Sequence, residues 1–471
     1  MRYVSTRGEA APLDFVAATL AGLARDGGLY VPESWPSFAP AQIAAMAGRP
    51  YAEVAAEVMA PFVGDAVPGE QIGRMAQEAY AGFRHPAVAP LVQVAPGTFV
   101  LELFHGPTLA FKDLAMQFLA RLMDHALEAR GERATIVVAT SGDTGGAAVE
   151  AFRGAKRIDL VVLYPHGRIS EVQRRMMTTP EDGNVHAVAI EGNFDDCQAL
   201  VKALFNHHAF RDRVRLSAVN SINWARIVAQ VVYFFTAAVA LGAPHRKVAF
   251  TVPTGNFGDI FAGYAAMRMG LPIDRLVIAT NTNDILARTL ASGVYEVREV
   301  VATASPSMDI QVSSNFERLL FEASRRDASA VRAAMGSLGQ SGRFAIGSSA
   351  LTSIREHFAA GRADEEETAA TMRVVRKETG YLADPHTAVA LAVAEKEAHD
   401  PSVPMIVLST AHPAKFPDAV EAACGVHPAL PDWLAHLPSR PERITVLPAE
   451  QAAVEQFVAR VSRAAQEGVV A

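Results

Sequence analysis

The 471-residue sequence has only two cysteines, Cys197 and Cys424. Two isolated thiols give no disulfide framework and no cysteine zinc cluster; they fit a reducing compartment and read as inert buried side chains. The histidines, His207, His208 and His386 among them, fall into no HExxH or comparable ligand spacing, so no metal site is expected. G-x-x-x-x-G-K-[ST] and G-x-G-x-x-G loops are missing too, and nucleotide binding has no motif behind it. Positive charge is not in surplus. With 43 Lys and Arg against 50 Asp and Glu, the net charge of −7 argues against nucleic acid or an anionic membrane as a general partner, while leaving room for local basic pockets. The apolar stretch 227–241 is broken by Gln230 and Thr236 and falls short of the roughly 20 residues that a spanning helix needs, so it reads as a helix buried against a sheet. Residues 1–8 lack the apolar core of a secretory signal, and a cytoplasmic protein is the expectation. Internal repeats and low-complexity tracts are also missing.

What is present is a globular composition, half hydrophobic and one fifth charged, in a chain long enough for two or three domains. Its most informative stretch is His105-Gly106-Pro107-Thr108-Leu109-Ala110-Phe111-Lys112-Asp113. Residues 98–104 before it have the aromatic and β-branched content of a strand, and Gly106-Pro107 turns the chain. Leu114, Ala115, Phe118, Leu119 and Leu122 then recur at helical spacing, so a helix opens near Lys112. An amine at the positive end of a helix, partly desolvated, is disfavoured as a cation, and the neutral amine can form a Schiff base with a carbonyl. A first-turn lysine is more often simply solvated; the downstream sequence argues otherwise here.

Four short β-rich apolar runs follow, at 135–139, 159–164, 247–252 and 404–408, each stopping at a polar or glycine-rich turn, as buried parallel strands do. Two of the turns, Thr140-Ser141-Gly142-Asp143-Thr144-Gly145-Gly146 and Pro253-Thr254-Gly255-Asn256-Phe257-Gly258-Asp259, lead into helices. Backbone N–H groups at a helix start bind a phosphate or a carboxylate, although any one such loop could be an ordinary connection. In open α/β sheets, ligands bind beyond the carboxyl ends of the strands, so these turns should face one crevice. Two anion cradles, a lysine and the hydroxyl-bearing turn Ser409-Thr410-Ala411 together suit pyridoxal phosphate chemistry on an amino acid.

These residues, with Tyr3 to Gly8, 22–32, Ser221-Ile222-Asn223-Trp224-Ala225-Arg226, Ser313-Ser314-Asn315-Phe316-Glu317, Asp384-Pro385-His386-Thr387-Ala388, Thr410 to Phe416 and 443–448, make nearly the whole chain resemble the threonine synthase family. That family belongs to the fold-type II pyridoxal-phosphate enzymes, and the likeness is to its long bacterial and fungal-like branch. The resemblance implies an α/β fold with two open twisted lobes, pyridoxal 5'-phosphate as cofactor, and conversion of O-phospho-L-homoserine and water to L-threonine and phosphate. It implies Lys112 as the Schiff-base lysine and as the acid and base. The phosphate of the cofactor would be held by Gly255, Asn256, Phe257, Gly258 and Asp259 through backbone donors, and the pyridine nitrogen would face Thr410. Substrate would meet Ser141, Asp143 and Thr144 at its carboxylate or amine, and Ser221, Asn223 and Arg226 at its phosphate. A phospho-lyase releasing keto acid, ammonia and phosphate is the alternative, and no obligatory protein partner is expected.

Residues 1–95 read as a mostly helical N-terminal domain, poor in strands. Residues 131–229 are expected to form a smaller, mobile substrate lobe, and 96–130 with 230–471 the larger, cofactor-binding one. Within the latter, 324–379 reads as peripheral helix with no strand run except Phe344-Ala345-Ile346. Asp195-Asp196 reads as a cap for a helix beginning near Cys197.

Overall fold

In a computed structural model, which describes residues 1–398 and 400–467, the apolar runs are buried strands of two separate sheets. The first sheet has six strands in the order Phe358–Arg362, Ile273–Thr280, Val248–Pro253, Met405–Ser409, Thr98–Glu102 and Leu91–Ala95. All neighbours are parallel except the last pair. The second sheet is parallel throughout, in the order Thr445–Pro448, Val185–Glu191, Ile158–Pro165, Ala134–Ala139 and Leu216–Ser217. Every residue of Val248–Pro253 and of Ile158–Pro165 is buried, which is why these segments lack the polar alternation of a one-sided strand.

Helix Trp224–Ala240 contains most of the apolar stretch singled out above. Only Thr236 and Ala240 along it are not buried, and it packs on helices Tyr51–Val63, Lys112–Arg130 and Gly258–Arg268. Among the described residues no helix is long and apolar enough to cross a membrane. Trp224, at its start, is ringed by Tyr3, Trp35, Phe62 and Phe261 with centroids 5.9 to 6.5 Å away, and Tyr3 donates to the Phe62 carbonyl at 2.6 Å. Burial of each such side chain contributes about 1.5–3 kcal/mol, and here that burial joins the N-terminal segment to the helix that carries Arg226.

The N-terminal segment is mostly helical, with Phe15–Ala21, Pro40–Ala44, Tyr51–Val63 and Gly69–Tyr80 beside a two-stranded sheet of Tyr3–Ser5 and Tyr30–Pro32. Leu91–Ala95 already belongs to the six-stranded sheet, so that sheet crosses the position read as a domain boundary.

Three local expectations need correction. Phe358–Arg362 is an edge strand inside the region read as helical; its sequence Phe-Ala-Ala-Gly-Arg has no apolar run because it packs through small residues, and a Cβ on Gly361 would lie 2.8 Å from Val393 Cγ1. The chain beyond 445, assigned above with the larger lobe, adds to the second sheet instead. Strand Thr445–Pro448 pairs with Val185–Glu191, Val454, Phe457 and Val458 share a core with Leu200 and Leu204, and Arg463 binds Asp159 through its backbone N and Nε, both at 2.7 Å. The helix holding Asp195 and Asp196 runs Phe194–Asn206; Asn193 is its cap, and Asp196 closes a capping box by accepting from Asn193 N at 2.7 Å. Cys197 is buried as expected, whereas Cys424 is half-buried.

Candidate active site

The turn before Lys112 is built around Asp113. Its buried carboxylate accepts from Thr108 N at 2.8 Å and Thr108 Oγ1 at 2.6 Å, and burial pushes its pKa up to about 6 against those hydrogen bonds. Gly106 lies so close that a Cβ there would be 2.6 Å from Asp113 Cβ, so a side chain at 106 would open the turn. Phe111 N donates to Thr410 O at 2.9 Å and His412 N to Leu109 O at 3.0 Å, tying the turn to the end of strand Met405–Ser409. Lys112 therefore opens helix Lys112–Arg130 as a buried side chain beside Thr410, itself buried. Burial lowers the pKa of its amine, Lys415 and Arg226 add to the lowering, and Asp143 opposes it.

Asp143 is the first residue of helix Asp143–Phe152. The preceding turn is held by Thr140 Oγ1, which accepts from Gly142 N and Gly145 N at 2.9 Å each, with Gly142 at φ +135° where only glycine sits without strain. Asp143 Oδ2 lies 3.5 Å from Lys112 Nζ and 3.5 Å from Ser307 Oγ, while Oδ1 lies 2.6 Å from Lys415 Nζ and accepts from Gln173 Nε2 at 2.9 Å. Burial would raise the pKa of this carboxyl; Lys415 and Lys112 outweigh it and hold the group well below the usual carboxylate range. Ser141 and Thr144 flank it, both half-buried.

The loop before helix Gly258–Arg268 is fixed from behind. Ser313 Oγ donates to Gly255 O at 2.7 Å, and Asn315 donates to Asn256 O through N at 3.1 Å and Nδ2 at 2.9 Å. Phe257 takes φ +64° and buries its ring against Phe316 and Phe358. With the carbonyls held this way, the N–H groups of Gly255, Asn256 and Phe257 meet no protein acceptor among the described residues. A Cβ on Gly255 would stand 2.5 Å from Ser307 O, so the cradle admits no side chain there. Three free donors at a helix start form an anion site, and a buried amine and a buried hydroxyl-bearing residue accompany it, which fits a phosphorylated aldehyde such as pyridoxal phosphate. Asp259 adds something the loop motif did not signal: its carboxyl is bonded by Tyr233 OH, its Oδ2 has no partner, and burial pushes its pKa up to about 7.

The residues expected at the substrate phosphate separate. Arg226 is 3% exposed, donates from Nη1 to Val219 O at 3.2 Å, has an unpartnered Nε and lies close enough to act on Lys112. Burial pushes its pKa down to about 10. Ser221 is half-buried, and its carbonyl accepts from Asn315 at 3.2 Å. Asn223 has a structural task instead: fully buried, it caps helix Trp224–Ala240 through Ala225 N at 3.1 Å and gives its amide protons to Thr19 O at 2.9 Å and Ala218 O at 3.1 Å. No donor of Asn223 is left for a ligand.

Three residues in contact with Asp143, namely Lys415, Ser307 and Gln173, were not singled out as site residues, and His386 and Asp384 stand behind Ser307. Lys415 is fully buried and also donates to Thr108 O at 2.9 Å. Ser307 donates its backbone N to His386 Nε2 at 3.2 Å, and His386 Nδ1 is 2.9 Å from Asp384 Oδ1, so Asp384 fixes the ring tautomer while capping helix Pro385–Lys396. Gln173 sits in a Ser170-x-x-Gln173 capping box, whose sequence signal announces only a helix start. The cue for Lys415 was a lysine inside the otherwise apolar and proline-bearing Ala411 to Phe416.

Comparisons with known proteins give three family matches: threonine synthase N terminus over residues 2–80, pyridoxal-phosphate dependent enzyme over 83–354, and threonine synthase, C-terminal, over 387–458. The chain is 53% identical over 461 residues to threonine synthase from Pseudomonas aeruginosa, covering 98% of both chains. A crystal structure of pyridoxal-phosphate-bound threonine synthase from Brucella melitensis superposes with a TM-score of 0.96 at 62% identity, over 98% of this chain and 100% of that one. The yeast threonine synthase structure gives 0.93 at 38% identity, over 98% of each chain.

Proposed function

The chain belongs to the threonine synthase family, and from that premise we propose how its residues serve the conversion of O-phospho-L-homoserine and water to L-threonine and phosphate. The observation that carries the assignment is the meeting of a desolvated lysine, a carboxylate under two ammonium groups and a donor-lined helix start. Pyridoxal phosphate, when bound, supplies the electron sink that makes protons at the substrate's Cα and then Cβ acidic.

Lys112 would hold the cofactor covalently, and its free amine would take the Cα proton and then serve Cβ, one mobile base for two adjacent carbons. Gly255, Asn256 and Phe257 hold the cofactor phosphate through N–H donors, with Gly258 and Asp259 opening the helix behind them. Thr410 would offer the pyridine nitrogen a neutral hydroxyl, and without a carboxylate partner that nitrogen would not be driven to full protonation, which would restrain transamination. Ser141 and Thr144 orient the substrate's carboxylate or amine beside Asp143. Arg226, with Ser221, binds the leaving phosphate, since a desolvated guanidinium with an open Nε matches that anion. Asp143 stands on the second sheet's side while Lys112, Ser307 and Lys415 stand on the first; their contact closes the site against bulk water until hydration of Cβ. A cytoplasmic address completes the proposal.

The test is to incubate the pyridoxal-phosphate-loaded protein with O-phospho-L-homoserine and to quantify threonine, 2-oxobutyrate and phosphate together. Threonine equal to phosphate is expected. 2-Oxobutyrate equal to phosphate would move the chain to the phospho-lyase reading.

A further inference from the structure

Asp143 is shared unequally between two lysines. Its closest cation is Lys415 at 2.6 Å, not the lysine that faces the reaction, and Lys112 is held at 3.5 Å. Lys415 is fully buried and anchored to Thr108 O at 2.9 Å, on the same turn that presents Lys112. From this geometry we propose that Lys415 is a positioning residue that takes up the charge of Asp143 and so presents Lys112 to the cofactor as a neutral amine. The inference rests on Lys112 being the cofactor lysine.

The surrounding charges support it. Around Lys112 stand Asp143 from helix Asp143–Phe152, Arg226 from helix Trp224–Ala240, Asp259 from helix Gly258–Arg268, and Lys415 from the turn Pro413–Lys415. Around Lys415 stand Asp143, Asp113 and His412. The Asp259 carboxyl is bound to Tyr233 and raised to about 7, so at neutral pH it carries only about half a negative charge. Lys112 and Lys415 then share the carboxylate of Asp143, with Arg226 adding positive charge near Lys112, in a desolvated space where an unpaired charge is costly. Of the two lysines, Lys112 has the longer contact with Asp143 and the more exposed side chain, so it is the less firmly held partner of that carboxylate. Without the ammonium of Lys415, Asp143 would turn its full charge to Lys112 and favour the protonated, unreactive amine.

The test follows the rate at which the full chain, stripped and then mixed with pyridoxal phosphate, becomes covalently labelled across pH, with borohydride trapping and mass mapping of the labelled lysine. Lys415→Met moves the acid limb of that rate upward by about one pH unit, a roughly tenfold slower labelling on the acid side. Lys415→Arg, which keeps the charge, restores the limb. Asp143→Asn moves it the other way, because Lys112 then loses the carboxylate 3.5 Å from its amine; opposite signs would not arise from loosened packing. A limb that stays in place or moves down in Lys415→Met overturns the proposal, and if that variant does not fold, Lys415→Gln and Asp143→Asn decide it on the same signs. Labelling at a lysine other than Lys112 would instead overturn the assignment of Lys112.

Discussion

Gly255→Ala is the perturbation whose effect the geometry of the cradle fixes most closely. The added Cβ would sit 2.5 Å from Ser307 O, where ordinary contact begins at 3.4 Å, so one backbone must yield by 3.4 − 2.5 = 0.9 Å. Neither is free to do so. Gly255 O is held by Ser313 Oγ at 2.7 Å, and Ser307 is held by His386 Nε2 at 3.2 Å and Asp143 at 3.5 Å. Overpacking of this kind costs about 1–3 kcal/mol, and losing the Ser307–His386 hydrogen bond adds about 1 kcal/mol. If the strain is relieved by moving the cradle donors, cofactor affinity falls by roughly 30- to 800-fold, at 1.4 kcal/mol per decade. Equilibrium dialysis of pyridoxal phosphate against the full chain measures it directly. The control is Gly336→Ala in helix Ala328–Ser341, where a Cβ meets no atom within 4 Å; that variant should bind the cofactor as the parent does and gain about 0.5–1 kcal/mol of stability. An affinity within threefold of the parent for a folded Gly255→Ala protein would refute the reasoning and remove the loop as phosphate cradle.

Lys112→Ala should form no threonine and no covalent cofactor adduct, and substantial threonine from that variant would strip Lys112 of its role. Arg226→Ala should raise KM for the phosphorylated substrate and lower kcat/KM by about 10- to 100-fold, the worth of a charge-assisted hydrogen bond; an unchanged kcat/KM removes Arg226 from the phosphate site. Arg463→Ala leaves the 1% exposed Asp159 carboxylate with the residue's backbone N–H but without its partly exposed guanidinium, and should cost about 1.5–3 kcal/mol in urea unfolding, the worth of a hydrogen bond to a charged group; a midpoint equal to the parent's would deny that the chain's last helices hold the second sheet. Asp259 has a folded pKa of about 7 against an ordinary 3.8, so its stabilisation is complete below about pH 4 and is lost as pH rises through 7. Asp259→Asn should therefore flatten the fall in stability between pH 4 and 7, and an unaltered slope in denaturation of the cofactor-free chain would contradict the raised pKa.

Sequence reasoning reached those parts of the molecule where one segment carries its own explanation. The strands Ile158–Pro165 and Val248–Pro253 are buried on both faces and announce themselves as apolar runs; the cradle at 254–258 and the turn at 105–113 are local, with glycines where a side chain would collide. Phe358–Arg362 was missed because an edge strand packed through Ala359, Ala360 and Gly361 has no hydrophobic signature, and Thr445–Pro448 because its pairing with Val185–Glu191 spans most of the chain. Asn223 misled for a different reason: one side chain type serves both helix caps and phosphate sites, and only its three structural partners show which it is.

Asp143 shows where a linear reading stops. Its oxygens collect Lys112, Gln173, Ser307 and Lys415, four residues from four segments whose nearest members are tens of positions apart, so no window of sequence contains the arrangement. Yet on the proposed reading it is the charge count of that cluster, more than the presence of any one member, that makes the amine of Lys112 a nucleophile. A lysine at the start of an apolar helix is common; what distinguishes this one is a second lysine 2.6 Å from the carboxylate it would otherwise pair with. The carboxylate follows a strand of one sheet and both amines follow strands of the other, so the proposed tuning of Lys112 requires the two sheets to be brought together. Separation of the sheets would withdraw the carboxylate from both amines at once, so on the proposed reading one contact between the sheets both covers the site and tunes the charge of Lys112.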